Sequence, residues 1–239
     1  MKKRFFVEKE NIHDGYFTLT DDEHNHLSKV MRMSEGDEVE CFFDSSDIFR
    51  CIVDRIGKKD SDVKIMSSYP CDANPSIAIS LFQALPKLDK LELITQKICE
   101  IGATILVPFS SKFCIAKENA GKIDRLSKIS ISACKQCGRS SLLKIEKVKK
   151  FDEILPMLSS FDLVLFANEK EHDVTLKQAI SFKKVQNVAI VVGSEGGFSD
   201  DEIEKLSRIS TSFTFGKRIL RTETAAITAV GDVICLLGD

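Results

Sequence analysis

The fold class of this chain can be inferred from one segment: Ala189-Ile190-Val191-Val192-Gly193-Ser194-Glu195-Gly196-Gly197-Phe198-Ser199. The apolar residues at its start predict a strand buried on both faces of a sheet. The glycine-rich loop that follows permits positive φ angles or the close approach of a ligand. Ser199 predicts a helix N-cap, and Glu202, three residues later, completes a capping box. Ligands of open α/β sheets bind at the carboxyl ends of strands, which is where this loop is expected.

The alternation of strand and helix continues on both sides of this stretch. The predicted strands are Ile77–Leu85, Ile105–Phe109, Phe161–Ala167, Asn187–Val192 and Thr211–Phe215. The predicted helices are 88–101, Lys122–Cys137, Thr175–Ser181, Asp200–Ile209 and Glu223–Leu237. Strands that alternate with helices indicate a largely parallel α/β sheet over residues 77–239.

The N-terminal part has a different pattern. Residues 1–70 contain short strands separated by turn-rich pieces, with one helix predicted at Asp21–Met33. This pattern predicts a small β-barrel. Residues 71–76, rich in proline and Asx residues together with Pro70, predict a linker between the two domains.

Composition narrows the class of protein. In 239 residues, 43% are hydrophobic and 29% are charged, and no stretch approaches the ~20 apolar residues of a membrane span. The apolar run after the basic N-terminus ends too early for a signal peptide, so a cytoplasmic protein is expected. The eight cysteines are interpreted as buried structural residues in a reducing compartment. Cys134 and Cys137 have metal or redox spacing, but no second pair with ligand spacing accompanies them.

Charge is unevenly distributed. The net charge is −2, yet residues 112–150 contain eleven basic and three acidic side chains. Such a run is often only a solvated face. Within an acidic protein, however, it favours a polyanionic partner such as RNA.

A second loop, Gly216–Ala226, also connects a predicted strand to a helix. Thr222 is the predicted N-cap, with Glu223 in the first turn and Arg221 just before it. The helix that follows has a narrow face of small residues, suited to close packing against another helix: Ala225, Ala226, Ala229 and Gly231. The two loops together predict the walls of one small-molecule pocket.

The glycine loop restricts the kind of ligand. It matches neither of the glycine-rich nucleotide motifs. Asp200, Asp201 and Glu202 occupy the first turn of the next helix, where they would repel a phosphate, and Glu195 adds to that effect. A neutral or cationic ligand is therefore expected.

These motifs resemble a known family. The two loops, Gly-x-Glu-Gly-Gly-Phe-Ser and Gly-x-Arg-Ile-Leu-Arg-Thr-Glu-Thr-Ala, are similar to those of the 16S ribosomal RNA uridine-N3 methyltransferases of the RsmE type, in the SPOUT superfamily. Further similar blocks occur in the family's order, at His26–Arg32, Gln96–Gly102, Val107-Pro108 and Gln136–Arg139. One departure is Ser194, where the family usually has proline.

The resemblance implies a fold and an activity. The fold would be an N-terminal PUA/OB-like barrel that binds RNA, followed by a SPOUT domain tied in a trefoil knot. The cofactor would be S-adenosylmethionine, and the enzyme would be a homodimer without a metal. Its target would be N3 of a uridine in the 16S RNA of the small ribosomal subunit, which is uridine 1498 in the family.

The resemblance, the chemistry of uridine methylation and the basic segment together give candidate site residues. The catalytic candidates are Arg221, as a donor to the uracil oxygens, and Glu223, as a proton acceptor. The cofactor-binding candidates are Leu165, Phe166, Val192, Gly193, Glu195, Gly196, Gly197, Phe215, Gly216, Ile219, Leu220 and Thr224. The RNA-binding candidates are Lys29, Arg32, Lys122, Arg125, Lys128, Arg139 and Arg218.

Two other functions remain open from the residues alone. A non-catalytic RNA-binding module would suit the barrel and the basic segment, but it would have no need of the two loops. An unrelated nucleotide-dependent enzyme is disfavoured because no phosphate-binding motif is present. Binding of S-adenosylmethionine would separate these alternatives.

Overall fold

The structure is a computed structural model that describes residues 3–87, 89–115, 121–180 and 185–238, without the side chain of residue 122. The chain forms two compact units. The first comprises Met1–Asn74 and Cys134–Leu142, and the second comprises Pro75–Ala133 and Leu143–Asp239. Each unit has its own hydrophobic core.

Six strands form the sheet of the first unit: β1 (Arg4–Phe6), β2 (Ile12–His13), β3 (Tyr16–Thr20), β4 (Glu38–Phe42), β5 (Asp47–Ile56) and β6 (Asp60–Pro70). Their order is β1-β4-β5-β6-β3-β2. The β1–β4 pair is parallel and the other pairs are antiparallel. In the described part of the chain β1 and β2 are the edges, so the predicted barrel is an open half-barrel.

One helical segment packs on this sheet, at the position predicted for a longer helix. Helix α1 (Asp21–Asn25) continues into a wider π-helical turn at His26–Val30. The segment ends at Val30, and Arg32, two residues later, has a φ of 50° in the left-handed region. Leu27 is buried in the core of the unit, which leaves the neighbouring Lys29 and Arg32 exposed.

Residues 134–142 belong to this first unit although they lie far along the chain. The side-chain amide of Asn74 donates a hydrogen bond to Ser140 Oγ, at 2.9 Å, and its carbonyl oxygen accepts from the backbone N–H of Ser140 and of Ser141. Arg139 is only 2% exposed. Its guanidinium is therefore not available at the surface, against the sequence-based prediction that it binds RNA.

Seven parallel strands form the sheet of the second unit: β7 (Ala78–Ala84), β8 (Ile105–Ser110), β9 (Lys144–Ile145), β10 (Lys149–Lys150), β11 (Leu163–Ala167), β12 (Asn187–Val192) and β13 (Thr211–Phe213). The order is β10-β8-β7-β12-β11-β13, with β9 also paired to β8. Every pair is parallel. This confirms the predicted parallel α/β sheet, whereas β9 and β10 were not predicted because two residues give no periodicity.

Six helices connect these strands: α2 (Lys90–Ile101), α3 (Lys122–Cys137), α4 (Phe151–Leu158), α5 (Leu176–Ile180), α6 (Asp200–Ser207) and α7 (Thr222–Leu237). Helix α4 was missed by the sequence analysis. It contains Pro156, which is a signal against a helix interior. The capping box of Ser199 and Glu202 at the start of α6 is confirmed.

The small-residue face of α7 packs inside the chain. Ala225, Ala226 and Ala229 are buried, and α7 contacts α2, β7 and β12. The predicted close packing against another helix is confirmed, with α2 as the partner. Three of the four residues of this face are therefore covered within one chain and are not free to pack against a second copy.

The cysteines follow the prediction only in part. None of the eight is in a disulfide, and five of them are buried: Cys41, Cys51, Cys71, Cys99 and Cys134. Cys114 and Cys137 are half-buried, and Cys235, near the end of α7, is exposed. Within the described ranges, every helix is too short or too polar to cross a membrane.

Candidate functional site

A cavity of about 470 Å³ lies at the carboxyl ends of three neighbouring strands in the second unit. Its walls are the segments that follow β11, β12 and β13. Both loops singled out in the sequence therefore open onto one cavity, as predicted. A site at this edge is the usual place for a ligand in an open parallel sheet, and the volume suits a molecule of cofactor size.

The glycine loop after β12 is tightly folded. Gly197 has a φ of 65°, which a side chain would strain, and its N–H donates to the carbonyl of Ser194 at 3.0 Å. A Cβ atom on Gly193 would lie 3.2 Å from the Cα of Gly197. Glycine at both positions allows the backbone to turn back on itself and face the cavity.

Hydrogen bonds to a buried carboxylate of helix α6 also stabilise this loop. Glu202, in the first turn of α6, is buried and accepts from Ser199 through the capping box. Its other oxygen accepts from the backbone N–H of Lys112 at 2.8 Å. One carboxylate thus fixes both the start of α6 and the segment after β8.

The two loops are joined by a buried polar cluster of Gln83, Gly193 and Thr222. The Thr222 hydroxyl donates to the Gly193 carbonyl at 2.6 Å, and Gln83 Nε2 donates to Thr222 Oγ1 at 3.0 Å. The prediction that Thr222 is the N-cap is wrong, since Arg221 occupies that position and Thr222 is the first helical residue. Its hydroxyl bonds across to the other loop instead of to its own helix.

Two buried polar atoms around this cluster have no hydrogen-bond partner among the described residues. They are Gln83 Oε1 and Ser194 Oγ. Buried polar atoms are nearly always paired in folded proteins, so such atoms are concentrated where a ligand or water completes the structure.

A lysine holds both loops to helix α2. Lys90 Nζ lies 2.9 Å from Glu195 Oε1 and 3.2 Å from Glu223 Oε2. The hydrogen bond from Lys90 to Glu195 raises the pKa of the lysine despite some burial. Burial alone would raise the pKa of Glu195, but the bond from Lys90 and the backbone N–H of Lys87 together lower it. Both groups are therefore charged at neutral pH, and the negative charge of Glu195 is already paired.

Eight of the twelve candidate cofactor residues line the cavity: Val192, Gly193, Glu195, Gly197, Phe215, Gly216, Ile219 and Leu220. Leu165 and Phe166 are fully buried inside β11, and the cavity meets this strand only from Ala167 onwards. A Cβ atom on Gly196 would lie 2.7 Å from the Cβ of Phe113, so this glycine faces the segment after β8. Thr224 is exposed and does not line the cavity.

The candidate catalytic residues are separated. Arg221 is exposed and lines the cavity, together with Arg218, which was predicted to bind RNA. Glu223 lies outside the lining and is paired with Lys90. Ile219, between the two arginines, lines the cavity and is 83% exposed. The mouth of the cavity is therefore open to solvent on this side.

Sequence reasoning missed several residues of this site. Asn168, Glu169 and His172, all after β11, line the cavity. Their signal was their position, since polar residues directly after a buried strand lie at the ligand-binding edge. Gln83 also had a signal, because it is the one amide side chain in the apolar strand β7.

The basic segment 112–150 does not form one uniform charged surface. Lys135 pairs with Glu23 at 2.7 Å, and Arg125 pairs with Glu92 at 2.8 Å. Lys128 is exposed, whereas the side chain of Lys122, like Lys117 and Glu118, lies outside the described residues. Part of the segment's charge is therefore neutralised locally, and the segment is divided between the two units.

In the first unit, a histidine lies beside the Lys135–Glu23 pair. His26 Nδ1 is 3.4 Å from Lys135 Nζ. Burial lowers the pKa of His26, and the positive charge of Lys135 lowers it further against the opposing effect of Glu23. This imidazole is therefore held in its neutral form at neutral pH.

Comparison with known proteins matches both units to one kind of protein. Residues 73–233 match the RNA methyltransferase domain family, and residues 19–66 match the RNA methyltransferase PUA domain family. The ribosomal RNA small subunit methyltransferase E of Bacillus subtilis is 30% identical over 97% of this chain and 95% of its own length. The PUA match agrees with the predicted class of the N-terminal fold.

Solved structures give the same result. A methyltransferase from Legionella pneumophila, crystallised with bound S-adenosylmethionine, is 28% identical and superposes with a TM-score of 0.90 over 100% of this chain and 99% of its own. The ribosomal RNA small subunit methyltransferase E of Neisseria gonorrhoeae, also bound to S-adenosylmethionine, is 26% identical. Its TM-score is 0.87, over 100% of this chain and 99% of its own.

Proposed function

Because this chain belongs to the RNA methyltransferase family of the ribosomal RNA small subunit methyltransferase E proteins, we propose that it methylates small-subunit ribosomal RNA. The methyl donor is S-adenosylmethionine, and the methylated atom is N3 of a uridine in 16S RNA. One observation carries the proposal: the glycine loop and the arginine-bearing loop face a single cavity at the ligand-binding edge of the sheet.

The cavity suits this cofactor. S-adenosylmethionine contains an adenosine, a sulfonium and an amino acid group, but no phosphate. The acidic first turn of α6, with Asp200, Asp201 and Glu202, would disfavour a phosphate beside the loop. The backbone of Gly193–Gly197 permits the close approach of a flat adenine, and Ser194, which lines the cavity, has a hydroxyl oxygen without a hydrogen-bond partner in the described part of the chain.

We assign Arg221 to the chemical step. When bound, S-adenosylmethionine supplies an electrophilic methyl group on its sulfonium. A uridine N3 carries a proton and becomes a good nucleophile only when that proton leaves, which places negative charge on the uracil oxygens. Arg221 is at the cavity and, because it is the N-cap residue of α7, its backbone is fixed. In this proposal its guanidinium stabilises the anion through its two parallel N–H groups.

Glu223 is assigned a supporting role rather than that of the base. Its carboxylate is paired with Lys90 at 3.2 Å, and it lies outside the cavity lining. We therefore assign the N3 proton to water at the open mouth of the cavity. In this proposal Glu223 holds Lys90, and Lys90 holds Glu195 in the cofactor loop.

The first unit and a second copy of the chain complete the proposed enzyme. We propose that the half-barrel binds RNA and that Lys29 and Arg32, both exposed, contact it. We also propose a homodimer, because the resemblance implies one and because Ile219 leaves the cavity mouth uncovered in a single chain. Sedimentation of a fully active 26.7 kDa monomer at micromolar concentration would contradict the dimer.

The decisive experiment is a single-turnover reaction with small ribosomal subunits that lack the modification, followed by nucleoside mass spectrometry. The expected product is 3-methyluridine. Arg221→Ala should lower the rate by about 10²–10³-fold, the usual loss for one preorganised donor, and should leave the melting temperature near that of the parent. Arg221→Lys keeps the charge without the planar fork and should restore only part of the rate.

Three results would contradict the proposal. A parent protein that binds small subunits but forms no methylated nucleoside would favour a non-catalytic RNA-binding module. A product other than 3-methyluridine would refute the assignment of N3. An Arg221→Ala variant that reacts at the parental rate would show that Arg221 is a solvated surface residue.

A further inference from the structure

We propose that Glu169 binds the cationic methionyl half of S-adenosylmethionine. The inference rests on the proposed function, since it names a residue for the same cofactor. Glu169 follows β11 directly and lines the cavity. Neither the motifs of the two loops nor the set of candidate cofactor residues includes it.

The position of the carboxylate is set by the glycine loop. A Cβ atom on Gly197 would lie 3.1 Å from Glu169 Oε1. The carboxylate therefore lies directly over this glycine, in space that any side chain at position 197 would enter. Glu169 thus approaches the same turn whose backbone faces the cavity.

Among the described residues, Glu169 is also the cavity carboxylate that has no hydrogen bond or ion pair. In that part of the chain two carboxylates line the cavity, Glu169 and Glu195. Glu195 is bound by Lys90 at 2.9 Å and by the backbone N–H of Lys87 at 3.1 Å. Glu169 makes no hydrogen bond or ion pair with any residue in the described ranges, and its neighbour Lys170 pairs elsewhere, with Asp200 at 2.6 Å.

The opposite charges of the cavity come from a different wall. Lys217, Arg218 and Arg221 line it from the loop after β13, whereas Glu169 comes from the segment after β11. The methionyl half of S-adenosylmethionine carries a sulfonium, an ammonium and a carboxylate. A cavity with an unpaired carboxylate on one wall and cations on another is complementary in charge to such a group. An uncharged nucleoside has no charges that could pair with these walls.

The test is calorimetric binding of two ligands that share the adenosine part. S-adenosylmethionine carries the charged methionyl half, and 5′-methylthioadenosine lacks it. Glu169→Gln should weaken S-adenosylmethionine about tenfold, the usual loss for one charge-assisted contact at a partly exposed site, and should leave 5′-methylthioadenosine unchanged. The matched control is Asp173→Asn, which removes a negative charge from the same segment outside the cavity lining.

Each other outcome counts against the inference. If Glu169→Gln weakened the binding of both ligands equally, Glu169 would contact the adenosine part that they share, and the inference would be overturned. Parental affinity in Glu169→Gln, or an equal loss in Asp173→Asn, would overturn a specific contact. If the parent itself does not bind S-adenosylmethionine, the proposed function fails first, and that result is visible without any variant.

Discussion

Thr222 gives the sharpest test of how the two loops are held together. Thr222→Val is nearly isosteric and removes only the hydroxyl that joins the cluster. That hydroxyl donates to the Gly193 carbonyl at 2.6 Å and accepts from Gln83 Nε2 at 3.0 Å. All of this is buried, so water does not replace the lost partner.

The expected loss of folding stability follows from the hydrogen bonds that remain after the Thr222→Val substitution. The Gly193 carbonyl keeps Gln83 Nε2 at 3.3 Å, and that nitrogen keeps the Ala84 carbonyl at 2.8 Å. No group is left wholly unpaired, so the expected cost is that of two hydrogen bonds, about 2 kcal/mol. For a domain of this size the melting temperature should fall by roughly 4–8 °C. If all of this free energy stabilises the conformation of the loop that binds the cofactor, the affinity for S-adenosylmethionine should fall by at most about 30-fold.

The assay is thermal and urea denaturation followed by cofactor titration. Thr224→Val is the matched control for stability, because it makes the same substitution at an exposed position of the same helix. It should change stability by less than about 0.5 kcal/mol. Thr222→Ser keeps the hydroxyl and should recover most of the loss. If Thr222→Val is as stable as Thr224→Val, the hydroxyl does not join the loops and the reasoning is wrong.

Two further predictions concern the titratable side chains of His26 and Lys90. The lowered pKa of His26 means that the unfolded chain takes up a proton more readily, so this residue reduces folding stability as pH falls below its ordinary value of 6.5. His26→Asn should therefore lose less stability than the parent between neutral and acidic pH, measured by urea midpoints, and parallel losses would count against this. Lys90→Met removes the contacts at 2.9 and 3.2 Å to two carboxylates, and it should lower stability by about 1 kcal/mol and weaken S-adenosylmethionine. Lys87→Met, whose contact with the same loop is through its backbone N–H, should do neither, and equal effects of the two variants would argue against a specific role for Lys90.

The local structure of this protein could be predicted from the amino-acid sequence alone. The apolar run before Gly193 gave β12, the serine and glutamate of the capping box gave the start of α6, and the alternation of strand and helix gave the parallel sheet. These signals act over a few residues, because strand burial, helix capping and glycine flexibility depend on near neighbours in the chain. For the same reason the two loops could be recognised and placed at one edge of the sheet.

Contacts between residues far apart in the chain could not be predicted from the sequence and are seen only in the folded structure. Arg139 and Lys135 are both basic residues of the segment 112–150, and the sequence does not distinguish their roles. In the structure Arg139 is buried in the first unit, whereas Lys135 pairs with Glu23, 112 residues away. The small residues of α7 suit any close helix packing, and the fold uses them for α2 within the same chain. Lys90 meets Glu195 across 105 residues, and Glu169 lies over Gly197. Such contacts depend on strand order and on the packing of helices against the sheet. These determine which residue pairs with a given charged side chain, and the sequence around that side chain does not show it.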